Sequence, residues 1–165
     1  MEIVIDELTA GLADPAELVR IIIRVIAATV LGAIIGWERE RIGKPAGLRT
    51  HMLVSLGSAL FVVSAAEAGM SIADLSRVIQ GLAAGIGFIG GGAILKLPDE
   101  HQIDGLTTAA GIWLTAAVGV TVGLGRLGTA LLTLLVGWLI VVGVGYVEHQ
   151  IAPRRRLPPL DRSES

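Results

Sequence analysis

Acidic, basic and hydroxyl side chains in and after two short loops are the groups in this sequence best suited to bind an ion or a lipid headgroup. The candidates are Glu38, Glu40, Arg49, Thr50, Thr107 and Thr108. A magnesium site typically needs only one or two carboxylates, because the ion keeps several of its waters. Glu38 and Glu40 also alternate with Arg39 and Arg41, which fits a solvated and charge-balanced loop. The residues alone leave both interpretations open.

The helices expected beside these residues favour a particular contact. Two segments begin with Gly-Leu-x-Thr, at residues 47–50 and 105–108. The first N–H groups of a helix lack partners and its dipole is positive there, so each start attracts negative charge, and Arg49 strengthens the first. We expect a carboxylate of the chain's own loop, Glu38 or Glu40, at such a start, because it is tethered close by. An anionic lipid headgroup is the alternative.

The sequence offers little for catalysis. It has no cysteine, and its three histidines, His51, His101 and His149, show no metal-ligand spacing. No nucleophile and base pair and no cofactor fingerprint stands out. We therefore expect no enzymatic activity, no resident cofactor and no nucleic-acid partner, while a bound magnesium ion stays open.

Two arginines lie inside the first apolar segment. An arginine at the bilayer centre costs on the order of 2.5 to 3.5 kcal/mol on insertion scales. Arg20 can reach towards the surface, but Arg24 cannot do so fully, and Glu67 near the end of the second segment lies at a similar depth. We expect an intramembrane ion pair among these three residues, with a structural role rather than a role in transport.

Glycines four residues apart predict faces where helices approach closely. The pairs are Gly32 and Gly36, Gly81 and Gly85, Gly87 and Gly91, and Gly119 and Gly123. Three consecutive glycines each cost roughly 1 kcal/mol relative to alanine in a helix interior, so they predict a local break in the third helix. The positions that would form this break or pack there are Gly85, Gly87, Gly90, Gly91 and Gly92.

Five nearly chargeless segments must position these residues. Charged residues make up 17% of the 165, against roughly 25% in a soluble domain, and the mean hydropathy is +0.73. The segments are 18–37, 48–66, 78–97, 105–123 and 127–147. Each has about the ~20 residues that a helix needs to cross a bilayer. The sequence predicts an all-α, polytopic transmembrane bundle of five helices with close, glycine-rich packing.

Charge also predicts the topology. Nine lysines and arginines fall in the first and third loops and the tail, but only Arg77 and Arg126 fall on the opposite side. Lys/Arg-rich loops are cytoplasmic, so we expect an acidic extracytoplasmic N-terminus (1–17), a membrane domain (18–147) and a basic, proline-containing cytoplasmic tail (148–165). The acidic N-terminus does not fit a secretory signal, so we expect the first helix to remain in the mature protein.

Three ordered motifs resemble the signature of the MgtC/SapB membrane proteins. They are GWERERIGKPAGLRTH at residues 36–51, GIGFIGGG at 85–92 and GLTTAAGIW at 105–113. The resemblance covers about residues 18 to 125. Trp37 and Lys44 depart conservatively from the family pattern, and Gly91 replaces a usual alanine. Longer members append a soluble cytoplasmic domain, so a function of that domain does not carry over.

The resemblance implies a bacterial inner-membrane protein of a family associated with growth in low magnesium and, in pathogens, with virulence. We expect a non-enzymatic protein that acts in magnesium homeostasis, or as a membrane regulator, through helix contacts. Its expected partners are the lipid bilayer, a second copy in a homodimer, and another membrane protein. The alternative is a small transporter or channel-like carrier of Mg²⁺ or another cation.

Overall fold

The computed structural model describes residues 1, 3–4, 14–96 and 103–144. Its main elements within these residues are α1 (Pro15–Arg41), α2 (Leu48–Glu67), α3 (Ile72–Gly92), α4 (Leu106–Gly123) and α5 (Leu127–Leu139). A π-helical turn, Ile140–Val144, continues α5. With that turn counted, all five helices are long and apolar enough to cross a membrane. The predicted all-α bundle of five transmembrane helices is confirmed.

A short antiparallel pair of strands joins α3 to α4. The strands are β1 (Leu95–Lys96) and β2 (Ile103–Asp104), and Leu95 pairs with Asp104. Gly105 follows with φ +94°, and a Cβ there would meet the Ala93 carbonyl. Only glycine fits such a turn, which sets the start of α4.

The helix starts follow from local sequence. The Asp14 carboxylate accepts a hydrogen bond from the Ala16 N–H at 2.9 Å, and Pro15 occupies the first position of α1. α2 and α4 begin at Leu48 and Leu106, directly after the glycines of the two Gly-Leu-x-Thr sequences. Both helices therefore start where those sequences lie.

Packing places α2 and α4 at the centre of the bundle. α1 packs mainly on α2, α2 packs on α4, and α3 contacts α4 more extensively than α2. An apolar core lies in the half of the bundle near the end of α4. Its members are Ala28, Leu31, Ala59, Val118, Val122 and Ala130, none more than 5% exposed. The opposite half, called the basic end here, is where α1 ends and where α2 and α4 begin.

The glycines contribute differently from helix to helix. A Cβ at Gly32 would lie 2.6 Å from the His51 carbonyl oxygen, and one at Gly119 would overlap the Ser55 carbonyl. Close packing is therefore confirmed for α1 on α2 and for α2 on α4. Around Gly81, Gly85, Gly87 and Gly91, a Cβ would meet nothing within 4 Å. In a single chain, Gly81 and Gly85 line a groove between α2 and α3, whereas Gly87 and Gly91 leave an open face on another side of α3.

The predicted break inside the third helix is wrong. α3 runs without interruption from Ile72 to Gly92, so the three glycines form its last turn. Glycine lowers the stability of a helix little at its end, where the backbone already leaves the helical conformation. Gly90 is buried and faces Ala109 of α4, while Gly91 and Gly92 are exposed.

The predicted segment boundaries are only partly within the described residues. α1 begins at Pro15, three residues before the predicted start of the membrane domain. Most of the acidic N-terminal segment and the whole tail 148–165 lie outside the described residues, so the interpretation of both stays a prediction.

Candidate functional site

A buried arginine sits at the basic end of the bundle. Arg39 lies in the last turn of α1 and is only 3% exposed. Its guanidinium Nη2 donates to the Thr108 hydroxyl of α4 at 3.1 Å. Burying a charge is costly unless it is paired, and the two ion pairs found within the described residues do not involve Arg39. The sequence had suggested a solvated loop for this stretch, and for Arg39 that interpretation is wrong.

A buried histidine lies beside this arginine, on α2. His51 and Thr115 are both fully buried, and the His51 Nδ1 lies 2.7 Å from the Thr115 hydroxyl. That hydroxyl donates to the Gly111 carbonyl at 2.8 Å. One hydroxyl therefore contacts both the His51 ring and the α4 backbone. The pair joins α2 to α4.

Arg39, His51, Ser55, Thr108 and Thr115 together form what we call the polar core. Three of its buried atoms have no hydrogen-bond partner in the described part of the chain: Arg39 Nε, His51 Nε2 and Ser55 Oγ. Gly111 packs against this core, since a Cβ there would be in ordinary van der Waals contact with His51 Cε1 at 3.6 Å and Arg39 Nε at 3.9 Å. Buried polar atoms normally bind water or a ligand, so this core is the chemically least complete part of the bundle.

The Glu40 side chain caps the N-terminus of α2. Its Oε2 accepts a hydrogen bond from the Leu48 N–H at 2.8 Å, and a Cβ at Gly47 would lie 2.7 Å from that oxygen. The carboxylate thus satisfies one unpartnered donor and faces the positive end of the helix dipole. Of the two carboxylates considered for a helix start, the structure brings Glu40 to α2.

The other predicted residues of this site are spread over three places. Glu38 pairs instead with Arg41 at 3.1 Å, on α1 itself. Arg49 and Thr50 line a shallow surface groove with Glu40, and within the described residues no ion pair joins Arg49 to either glutamate. Thr107 is exposed, whereas its neighbour Thr108 belongs to the polar core. The six candidates therefore do not form one site.

The predicted intramembrane ion pair does not form. Arg24 Nη1 donates to the Gly123 carbonyl at 3.1 Å, at the end of α4, and neither ion pair of the described chain includes Arg20, Arg24 or Glu67. The last carbonyls of a helix lack partners and carry the negative end of its dipole, so they stabilise an arginine as a carboxylate would. Arg20 and Glu67 are exposed.

Metal binding has no preformed cluster in this part of the molecule. Among residues 14–96 and 103–144, no three His, Asp or Glu side chains are grouped so that they could hold a metal ion. A cation near the polar core would also meet the positive charge of Arg39. The arrangement fits a group that accepts hydrogen bonds better than it fits a bare cation.

Comparison with known proteins covers the same region. The model of the MgtC family matches residues 25–150, which include the whole polar core. The chain is 46% identical to protein SrpB of Synechococcus elongatus, over 67% of this chain and 71% of SrpB. It is 44% identical to the putative magnesium transporter YhiD of Escherichia coli, over 63% of this chain and 51% of YhiD.

A third relative extends the same pattern. The chain is 39% identical to protein MgtC of Salmonella typhimurium, over 67% of this chain and 46% of MgtC. The match therefore spans only about half the length of YhiD and of MgtC. No solved structure matches the chain.

Proposed function

The chain belongs to the MgtC family, and from that premise we propose that it is a bacterial inner-membrane protein acting in magnesium homeostasis without conducting ions and without catalysis. Five apolar helices support the membrane location, and the names of two relatives, MgtC and a putative magnesium transporter, support the link to magnesium. On the Lys/Arg bias of its loops, the N-terminus faces outward and the basic end faces the cytoplasm.

The closed outer half of the bundle is the observation that carries the non-conducting role. The polar core occupies the basic end only, and beyond it the centre is filled by apolar side chains such as Val118 and Val122, both 0% exposed. α2 and α4 touch there, because a Cβ at Gly123 would lie 2.8 Å from the Ala59 carbonyl oxygen. A hydrated cation needs polar groups along its whole path, but the described core of this half is apolar, and Arg24, a cation itself, binds the Gly123 carbonyl at its end.

The open face of α3 supports an action through helix contacts. Gly87 and Gly91 lie on one face of α3, are exposed, and have free space where a side chain would stand. Small residues spaced by four let a second helix approach closely in a membrane. We assign this face to a second copy of the chain in a homodimer, with another membrane protein as the alternative partner.

Leucine at Gly87 tests that assignment. The substitution should leave the monomer intact, because a larger side chain there meets no atom of its own chain within 4 Å of Cβ. It should shift the oligomer towards monomer in size-exclusion chromatography with light scattering. An unchanged oligomer, or a wild-type protein that is already monomeric in lipid nanodiscs, would remove α3 as the dimer face.

Transport of Mg²⁺ or another cation is the second candidate function, and the name of the relative YhiD, a putative magnesium transporter, favours it. A measurement of Mg²⁺ flux distinguishes the two candidate functions. Purified protein in liposomes that contain a magnesium-sensitive dye should give no Mg²⁺ entry above protein-free vesicles, with a divalent-cation ionophore as positive control. The same protein should still restore growth at limiting magnesium to a strain that lacks its own family member. Saturable Mg²⁺ entry into the liposomes would overturn the non-conducting role.

A further inference from the structure

A cavity of about 180 Å³ opens beside the polar core, between α1, α4 and α5. Most of its wall is apolar, from Ile35, Ala110, Leu114, Leu134 and Trp138. Its polar lining comes from Glu38, Arg39 and Thr107. The cavity therefore combines a long apolar wall with charged and hydroxyl groups contributed by α1 and the start of α4.

The charges at this lining sum to one positive charge once Arg41 is counted. Glu38 already pairs with Arg41 at 3.1 Å, on its own helix, which leaves Arg39 as the second cation. Arg39 is 3% exposed, bonds only to the neutral Thr108 hydroxyl, and keeps a buried Nε without a partner in the described residues. An uncompensated buried guanidinium is unfavourable, and an anion that lies against it removes the penalty.

We infer that this cavity binds an anionic phospholipid, whose phosphate meets Arg39 and Thr107 while one acyl chain lies along Leu114 and Trp138. Basic pockets between transmembrane helices on the cytoplasmic side typically bind anionic headgroups. A dry cavity of about 150 Å³ accommodates a benzene-sized apolar group, so this one holds the first part of one acyl chain and leaves the rest in the bilayer. The inference does not depend on the proposed role in magnesium homeostasis.

A zwitterionic lipid fits less well. The ammonium of phosphatidylethanolamine would need a free carboxylate near the phosphate site, but Glu38 is engaged by Arg41. Free phosphate would satisfy Arg39 but would leave the apolar wall uncovered. The combination of one unpaired cation and an apolar wall selects an anion that carries a hydrocarbon chain.

Native mass spectrometry of the detergent-purified chain tests the site. Phosphatidylglycerol and phosphatidylethanolamine with the same acyl chains are added in turn. We expect preferential retention of phosphatidylglycerol, a drop of about tenfold for Arg39→Gln, the loss typical of one charge-assisted hydrogen bond, and partial rescue by Arg39→Lys. Arg49→Gln is the matched control, because it removes the same charge at the same end but outside the cavity. Equal losses for both glutamine variants would overturn the site.

Ala110→Phe keeps the test decisive if Arg39→Gln does not fold. Ala110 is exposed and lines the cavity, so phenylalanine fills the acyl site without removing a buried contact. Retention of phosphatidylglycerol should fall in this variant, and bromine-labelled phosphatidylglycerol should no longer quench Trp138 in a background with Trp37→Phe and Trp113→Phe. Unchanged retention and quenching would refute the inference. If millimolar inorganic phosphate displaces the lipid, the cavity is a site for anions in general, and the proposal that it binds a phospholipid is wrong.

Discussion

Thr115→Val removes one hydroxyl from the contact between α2 and α4 and keeps the shape of the side chain. The hydroxyl lies 2.7 Å from His51 Nδ1 and donates to the Gly111 carbonyl at 2.8 Å. Both His51 and Thr115 are 0% exposed, so water cannot replace the lost hydroxyl without opening the bundle. The substitution leaves the buried His51 Nδ1 without its partner.

The expected loss can be bounded from two sides. A buried donor left unsatisfied costs about 1–3 kcal/mol in soluble proteins. Hydrogen bonds between transmembrane helices average about 0.6 kcal/mol and reach about 1.7, because the unfolded state in a membrane also finds partners. Since both partners are fully buried here, we expect a loss of about 1 to 1.5 kcal/mol in the free energy of unfolding.

Thr121→Val is the matched control. Thr121 also lies on α4 and also donates to the carbonyl four residues earlier, at 2.7 Å, but it has no partner on another helix in the described chain. Its replacement should change the free energy of unfolding by less than about 0.5 kcal/mol. Unfolding of both variants by sodium dodecyl sulfate in mixed micelles, followed by circular dichroism, gives the comparison directly.

A double-mutant cycle with His51→Leu isolates the pair. Each single change leaves one buried partner behind, whereas the double variant leaves neither, so it should lose about 1 kcal/mol less than the sum of the single losses. If Thr115→Val and Thr121→Val lose the same free energy, or the cycle is additive, the interhelical hydrogen bond contributes nothing and the reasoning fails.

Three further predictions concern the helix starts, the glycine contacts and the topology. Glu40→Ala should cost about 1 kcal/mol of stability through loss of the bond to Leu48, and Glu38→Ala clearly less, when both are measured by the same unfolding assay. Gly119→Ala should destabilise the bundle because its Cβ would overlap α2, whereas Gly57→Ala, with open space around it, should not; equal effects would argue against the α2–α4 contact. Cysteines introduced at positions 10 and 160 should be labelled by a membrane-impermeant maleimide from opposite sides, and labelling of both from one side would contradict the topology.

Hydropathy and helix-start chemistry made the architecture predictable. A single apolar segment can form all its backbone hydrogen bonds within a bilayer only as a helix, so a helix is expected for each of the five segments. The Gly-Leu-x-Thr sequences marked the starts of α2 and α4, and the attraction of a helix start for negative charge pointed to Glu38 or Glu40 at α2. The structure places Glu40 there.

The polar core was visible only as a weak signal. His51, Ser55 and Ser58 lie four and three residues apart on the mostly apolar helix α2, which puts three polar side chains on one face. Thr108 and Thr115, seven residues apart on α4, form the matching face. These two polar faces are the sequence signal that marks the polar core, whereas metal-ligand spacing gives no signal there.

Local composition and the cost of unpaired backbone in lipid already indicate which segments cross the membrane, where the helices begin, and which charged residues lie inside them. The contact partner of each side chain, in contrast, follows only from the tertiary structure. Whether Arg24 meets Glu67 or the end of α4, whether Arg39 faces solvent or Thr108, and whether a glycine pair packs inside the chain depend on the rotation of each helix and on its neighbours. In this bundle that rotation is fixed by contacts between helices far apart in sequence, and no local pattern encodes it.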